Sequence, residues 1–221
     1  MVDILLSNYA FLYEYIMNII EPIKEFSLNN NEREPYCLKF KLVVESDAEF
    51  ILGLRTNPLK NKYLNFTEPD LEKQIIWLKE YKIREERGEE LYYIIYENNE
   101  RVGTIRIYNI AENKCTTGSW LFSSNAHPLT PIISEFLIYE IVFNILKKFT
   151  VLFDIRKENK KVVNYHKFKK ITLINEDEEN FYYSMNKEEW EVSKKEIFNL
   201  LGIKIDIHLD EHNKIRIDST W

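Results

Sequence analysis

Glycine is scarce in this chain: there are five in 221 residues, alongside two cysteines and three methionines. No Gly-rich P-loop can be read anywhere in it, which removes one common phosphate cradle from consideration. The cysteines, Cys37 and Cys115, stand in apolar, strand-like surroundings without CxxC or Cys/His spacing, so they read as reduced thiols of a cytoplasmic protein rather than metal ligands. No segment approaches the ~18 uninterrupted apolar residues of a membrane span. Asp3 and Glu14 interrupt the apolar amino-terminal stretch, and no basic region precedes it as a signal peptide requires. Positive charge is not in excess either: 36 acidic against 30 basic residues give a net charge of −6, which argues against a general affinity for nucleic acid. The Lys-rich run from Arg156 to Lys170 is the local exception. No Ser/His/Asp constellation and no paired-carboxylate motif is present, so hydrolase and kinase chemistry find little support.

What is there is an ordinary globular composition, 45% hydrophobic and 30% charged. That is enough apolar material for one core with appendages. Apolar residues at Leu5, Tyr9, Leu12, Ile16, Ile19 and Ile23 predict an amphipathic helix over Val2 to Phe26, to be covered by the carboxy-terminal tail or a second subunit in a homodimer. Ser27 to Pro35 reads as a polar linker, giving expected divisions of 1–35, 36–190 and 191–221. From Tyr36 the order is strand, two helices, three strands, helix, strand, helix and two strands. The first helix is expected to start on a capping box of Ser46 and Glu49, the second at Thr67 and Asp70, and the long third at Thr130-Pro131, running to about Lys148. After Asn186 come a charged helix to about Leu201 and an alternating Ile203, Ile205, Ile207, Leu209 segment, suited to a strand or hairpin.

Five local sequences in order carry a resemblance: Leu54-Arg55-Thr56-Asn57-Pro58, Gln74-Ile75-Ile76-Trp77-Leu78, Val102-Gly103-Thr104-Ile105-Arg106, Gly118-Ser119-Trp120 and Asp154-Ile155-Arg156-Lys157-Glu158-Asn159. With the element order, they resemble the GNAT superfamily of N-acetyltransferases over roughly Leu38 to Trp190. Within it, the chain resembles the branches acetylating ribosomal-protein amino termini and those acetylating amino sugars for bacterial surface polysaccharides. The resemblance implies an α/β (α+β) fold, with a mixed, mostly antiparallel sheet flanked by helices and with the fourth and fifth strands splayed apart. It implies acetyl-CoA as cofactor and transfer to a primary amine by direct attack, the preferred acceptor being an amino sugar, free or nucleotide-linked. A protein amino terminus, or a binding module that has lost catalysis, are the alternatives.

By the same resemblance Trp120, Leu121 and Phe122 line the gap between the splayed strands, if they are more than buried strand residues. The loop before the long helix meets the pyrophosphate. Here it reads Ser123 to Thr130 without Gly or Arg, leaving Ser124, Asn125, Thr130 and the helix amino terminus as donors, with His127 an exposed loop residue. Asn159 contacts the cofactor, caps a helix, or does both. His166, seven residues on, shares its helical face and stands where relatives carry a Tyr that protonates the leaving thiolate; the alternative is a packed core residue. Tyr165, ~100° away, takes that role if the helix register slips by one. Glu135 is the candidate base for the acceptor ammonium, or merely a favourable acid near a helix amino terminus.

Overall fold

The computed structural model describes residues 25–30, 36–202, 204–209 and 215–220. In chain order the elements are β1 (Glu25–Asn30), β2 (Tyr36–Leu42), α1 (Ala48–Thr56), α2 (Leu71–Glu86), β3 (Leu91–Glu97), β4 (Glu100–Tyr108), β5 (Lys114–Phe122) and α3 (Thr130–Glu140). Then come β6 (Thr150–Arg156), α4 (Lys160–His166), β7 (Thr172–Glu176), β8 (Asn180–Asn186), α5 (Lys187–Leu201), β9 (Lys204–Leu209) and β10 (Ile215–Thr220). The helix expected over Val2 to Phe26 lies outside the described residues except at its end, where Glu25 and Phe26 open a strand instead.

Strands β1 to β8 form one eight-stranded sheet in the order β1-β2-β3-β4-β5-β6-β8-β7. Every pairing is antiparallel except β5 with β6. The linker expected at 27–35 is corrected over its first part: Ser27 to Asn30 pair with Lys39 to Tyr36 in the sheet. An edge strand keeps one side in water, so polar residues there are no obstacle. Described elements meet across both of the limits expected at 35/36 and 190/191. β1 joins β2 across the first, and α5 crosses the second with Trp190 fully buried in the main core and its Nε1 donating to Glu140 Oε1 at 2.5 Å.

Three layers follow from the pleat. Along β3, Leu91, Tyr93 and Ile95 face the core beneath α3 and α5, while Tyr92 and Ile94 face a second core under α1 and α2. Successive side chains of a strand point to opposite faces, so a central strand covered on both sides is apolar throughout. α3 is buried along nearly its whole length and ends in a π-helical turn, Ile141–Ile145, closed by Lys147 at φ 54°.

The helix starts differ in detail from expectation. α1 follows a 3-10 turn in which Asp47 Oδ2 accepts from the Val44 N–H at 2.9 Å, in place of the Ser46 box. Asp70 caps α2, accepting from Lys73 N–H at 3.0 Å, whereas the Thr67 hydroxyl accepts from Arg55 Nε at 2.8 Å. Leu129 is the cap of α3, and Thr130 is its first residue. The alternating tail forms the hairpin of β9 and β10, which pairs Lys204 to Leu209 with Thr220 to Ile215.

Candidate active site

The site is built on the one parallel pairing. β5 and β6 join only through Lys114–Thr150, Cys115–Val151 and Thr116–Leu152. Beyond Thr116, β5 runs on to Phe122 and β6 to Arg156 with no register between them, so the sheet forks. This is the splayed pair expected as fourth and fifth strands, numbered one higher because β1 precedes them. The backbone edges facing the fork are open donors and acceptors, suited to an extended ligand carrying amides.

A bulge opens the fork on the β4 side. Thr104 pairs with Leu121 and Arg106 with Gly118, so Ile105 opposes both Ser119 and Trp120. Ser119 sits at φ 49°, a left-handed conformation that side chains rarely adopt, and its carbonyl is pinned by the Thr104 hydroxyl at 2.8 Å. Two glycines make room for the arrangement. A Cβ on Gly103 would lie 2.3 Å from Phe122 Cδ1 and 2.7 Å from the Leu121 carbonyl, and one on Gly118 would lie 3.1 Å from Tyr108 Cε1.

The fork holds a cavity of about 410 Å³. Of the residues expected at the site, Trp120, Leu121 and Asn159 line it. Asn159 is the cap of α4, its Oδ1 accepting from the Val162 N–H at 3.3 Å. The sequence reading missed Arg55, Lys60, Arg106, Tyr108 and Asp154, which line it too. Three of these stood inside the quoted motifs, but only the topology brings them to one cavity. Desolvation raises the Asp154 carboxyl above its ordinary range, against the opposing pull of Arg156.

The three residues expected to catalyse gather beneath the cavity rather than in it. Glu135 is 7% exposed; its Oε2 accepts from the Tyr165 hydroxyl at 2.7 Å and pairs with buried Lys169, and its Oε1 accepts from the Tyr139 hydroxyl at 3.1 Å. Burial works to raise the Glu135 pKa, yet the Lys169 charge and the hydrogen bonds from Lys169 and Tyr165 hold it below the usual carboxylate range. A carboxylate so enclosed and paired is an anchor, so its assignment as base for the acceptor is corrected. Tyr165 stacks on Trp120, with centroids 5.7 Å apart, and the Trp120 Nε1 donates to the Pro131 carbonyl at 3.0 Å. The cavity wall is thereby clamped from both sides. Burial and Glu135 push the Tyr165 phenol well above its ordinary pKa.

His166 is 4% exposed and stacks on Phe153 at 5.0 Å. Its Nε2 lies 3.8 Å from Glu135 Oε1, beyond hydrogen-bond reach, and its Nδ1 has no hydrogen-bond partner. Burial first, and the charge of Lys169 second, lower its pKa from 6.5 to about 3. The ring is buried beneath the cavity and outside its lining, and burial favours its neutral form, so the expected role of an imidazolium acid toward the thiolate is corrected on the geometry first. Cys115 is no nucleophile, since burial lifts its thiol to about 12.

At the loop before α3, Ser124 and Asn125 are exposed, as is His127. Thr130 is fully buried, and its hydroxyl donates to Glu97 Oε2 at 2.6 Å; the same oxygen accepts from the His127 N–H at 3.0 Å. The expected cofactor contact by the Thr130 side chain is thus corrected: a carboxylate of the chain itself already holds that hydroxyl. Phe122 is displaced likewise, its ring covering Gly103 and its carbonyl accepting from Lys60 Nζ.

No family model matches the chain. It is 24% identical over 140 residues to the acetyltransferase PseH of Campylobacter jejuni, covering 62% of this chain and 83% of that one. Among solved structures it is similar to apo FdhC, a nucleotide-linked sugar GNAT, at 34% identity and a TM-score of 0.67, covering 80% of this chain and 99% of that one. It shares its fold with the ribosomal-protein-S5-alanine acetyltransferase of Vibrio fischeri at 12% identity and a TM-score of 0.61, over 75% of this chain and 98% of that one. Among the described residues no helix is long and apolar enough to cross a membrane, and no cluster of His, Cys, Asp and Glu could hold a metal ion.

Proposed function

The chain belongs to the GNAT superfamily of N-acetyltransferases, and we propose that it moves the acetyl group of acetyl-CoA to the primary amine of a nucleotide-linked amino sugar. The observation that carries the acceptor is the 34% identity to FdhC, a nucleotide-linked sugar GNAT, across 99% of that chain. The forked strands and their cavity fit an extended amide-bearing co-substrate, with Trp120, Leu121 and Asn159 as the residues to hold it.

Acetyl-CoA supplies the thioester whose carbonyl carbon the amine attacks directly. The residues of the chain do the rest. Asp154 is the carboxylate in the cavity, and its raised pKa makes it the better placed group to take the ammonium proton. No acid is required for the leaving group, because a thiol with a pKa of ~8.5 leaves readily as thiolate. Tyr165, Glu135 and Lys169 act as a unit that fixes Trp120. The test is release of CoA, followed with a thiol reagent, from acetyl-CoA and a panel of amino sugars free and linked to nucleoside diphosphates, beside a ribosomal-protein amino-terminal peptide. Turnover on the linked sugars is expected. Turnover confined to the peptide would overturn the reading.

A further inference from the structure

A second cavity, of about 310 Å³, lies beside the fork, walled by α1, α2 and β4. It shares Arg55, Arg106 and Ser119 with the first, so the two meet at the strained residue of the bulge. Transfer of the acetyl group, as described above, makes no use of this space.

Its walls carry Arg55, Arg106 and Lys73 beside Glu68 and Asp70. Both carboxylates are engaged, Glu68 in a pair with Lys73 and Asp70 as the cap of α2, which leaves the two guanidinium groups to face an anion. Arg55 donates from Nε to the Thr67 hydroxyl, a neutral partner, and among the described residues no carboxylate pairs with it. Arg106 lies over the Tyr108 ring with its guanidinium carbon 4.1 Å from the centroid, and 5.6 Å from that of Trp77. Its counter-charge is Glu90, 3.3 Å from Nε, but Glu90 also pairs with Arg84 at 2.7 Å and so is shared between two cations. A guanidinium held by ring faces keeps its planar donors for a bidentate anion, the geometry phosphate groups match. At the rim Phe66 is 89% exposed, a large ring with most of its apolar surface unspent. A lone cation would take any anion, but two guanidinium groups with an open aromatic ring in the same cavity suit a ligand that carries both phosphates and a flat base.

We propose that this second cavity seats the nucleoside diphosphate of the acceptor, with Arg55 and Arg106 on the diphosphate and Phe66 against the base. The sugar then enters the fork past Ser119, and its amine reaches Asp154. The assignment rests on the acceptor reading given above and adds to it where the nucleotide is held.

The test is calorimetry on the full chain saturated with CoA, so that nucleotides cannot report on the CoA site. UDP, dTDP, the corresponding nucleosides and inorganic pyrophosphate are titrated in turn. Binding of at least one diphosphate is expected, weakened about tenfold or more by Arg55→Gln and about three- to tenfold by Phe66→Ala. Nucleoside binding should feel only Phe66→Ala, and pyrophosphate only Arg55→Gln. Neither side chain lies in a core, so unchanged circular dichroism and melting are expected for both variants. Absence of heat with every diphosphate, or binding indifferent to both substitutions, overturns the proposal. Acetylation of a nucleotide-linked amino sugar, undiminished by either variant, would sink this cavity while sparing the transferase reading. Nucleotide binding without turnover on any amino sugar would do the reverse.

Discussion

His166 makes the fold sensitive to acid in a window that can be worked out in advance. Its pKa is about 3 in the folded chain, against an ordinary 6.5. A folded-state pKa below the unfolded one means that the unfolded chain binds the proton first, so stability is whole above pH ~6.5 and is lost as pH falls toward the folded value. Each unit of difference is ~1.4 kcal/mol, giving a loss of about 2 kcal/mol at pH ~5 and of ~4 to 5 kcal/mol as pH nears 3. For a chain of this size the loss at pH ~5 corresponds to a fall in melting temperature of about 4 to 8 °C. His166→Phe isolates the effect. The ring forms no hydrogen bond that Phe would forfeit, its stack on Phe153 is kept, and an unpartnered buried nitrogen is removed. Urea unfolding of both proteins at a series of pH values from ~8 to ~4 should therefore give a stability difference that is constant above pH ~6.5 and widens below it, the wild type falling faster. Parallel curves, or an imidazole titrating near 6.5 by NMR in the folded protein, would refute the reasoning. Turnover carries a companion expectation: without an imidazolium to lose, the variant and the wild type share the same high-pH profile.

Lys169→Met strands the Glu135 charge in the core and is expected to cost about 3 to 5 kcal/mol in urea unfolding, with Glu135→Gln in the same chain restoring part of it; equal losses in single and double variants would deny the pairing. Asp154→Asn should lower kcat by ~10² and remove the low-pH limb of the rate profile, a limb that its raised pKa sets above the ordinary carboxylate range; a limb that survives places the base elsewhere. Glu97→Gln frees the loop before α3 of a negative charge and should tighten acetyl-CoA several-fold, more at low salt, if the phosphates come to that loop; affinity that does not move, measured by calorimetry, would place them elsewhere.

Much of the core could be read from the chain because its pattern is tied to period. Leu91, Tyr93 and Ile95 against Tyr92 and Ile94 spell a strand covered on both faces, and the apolar length of α3 marks it as central. β1 escaped notice because an edge strand paired on one side needs no apolar alternation, and Ser27 to Asn30 show none. The candidate site was legible in part: Trp120, Leu121 and Asn159 do line the fork. Helical spacing set His166 apart from Tyr165, but it could not show that Trp120 would take the tyrosine and Phe153 the histidine. Charge state was further out of reach. It depends on Lys169 and on depth beneath the sheet, both tertiary facts. Arg55, Arg106 and Asp154 were quoted within motifs, yet their convergence comes from the order of strands, which no local pattern encodes.

The short seam between β5 and β6 has a mechanical meaning. Strands β1 to β5 and strands β6 to β8 are two plates of one sheet, paired strand to strand only from Lys114 to Thr116, with α3 packed beneath them and Tyr165 stacked on Trp120 across the fork. From the end of that seam, Thr117 to Phe122 extend about 20 Å at ~3.4 Å per residue, so they form a lever. A turn of only a few degrees at the seam moves the far end of the fork by ~1 to 2 Å, enough to change which groups can touch across it. The width of the mouth is thus governed by packing around Cys115 and Val151, at the opposite end of the strands from the mouth itself. Substitutions at those two buried positions should act on the reach between Trp120 and Asn159 without touching either.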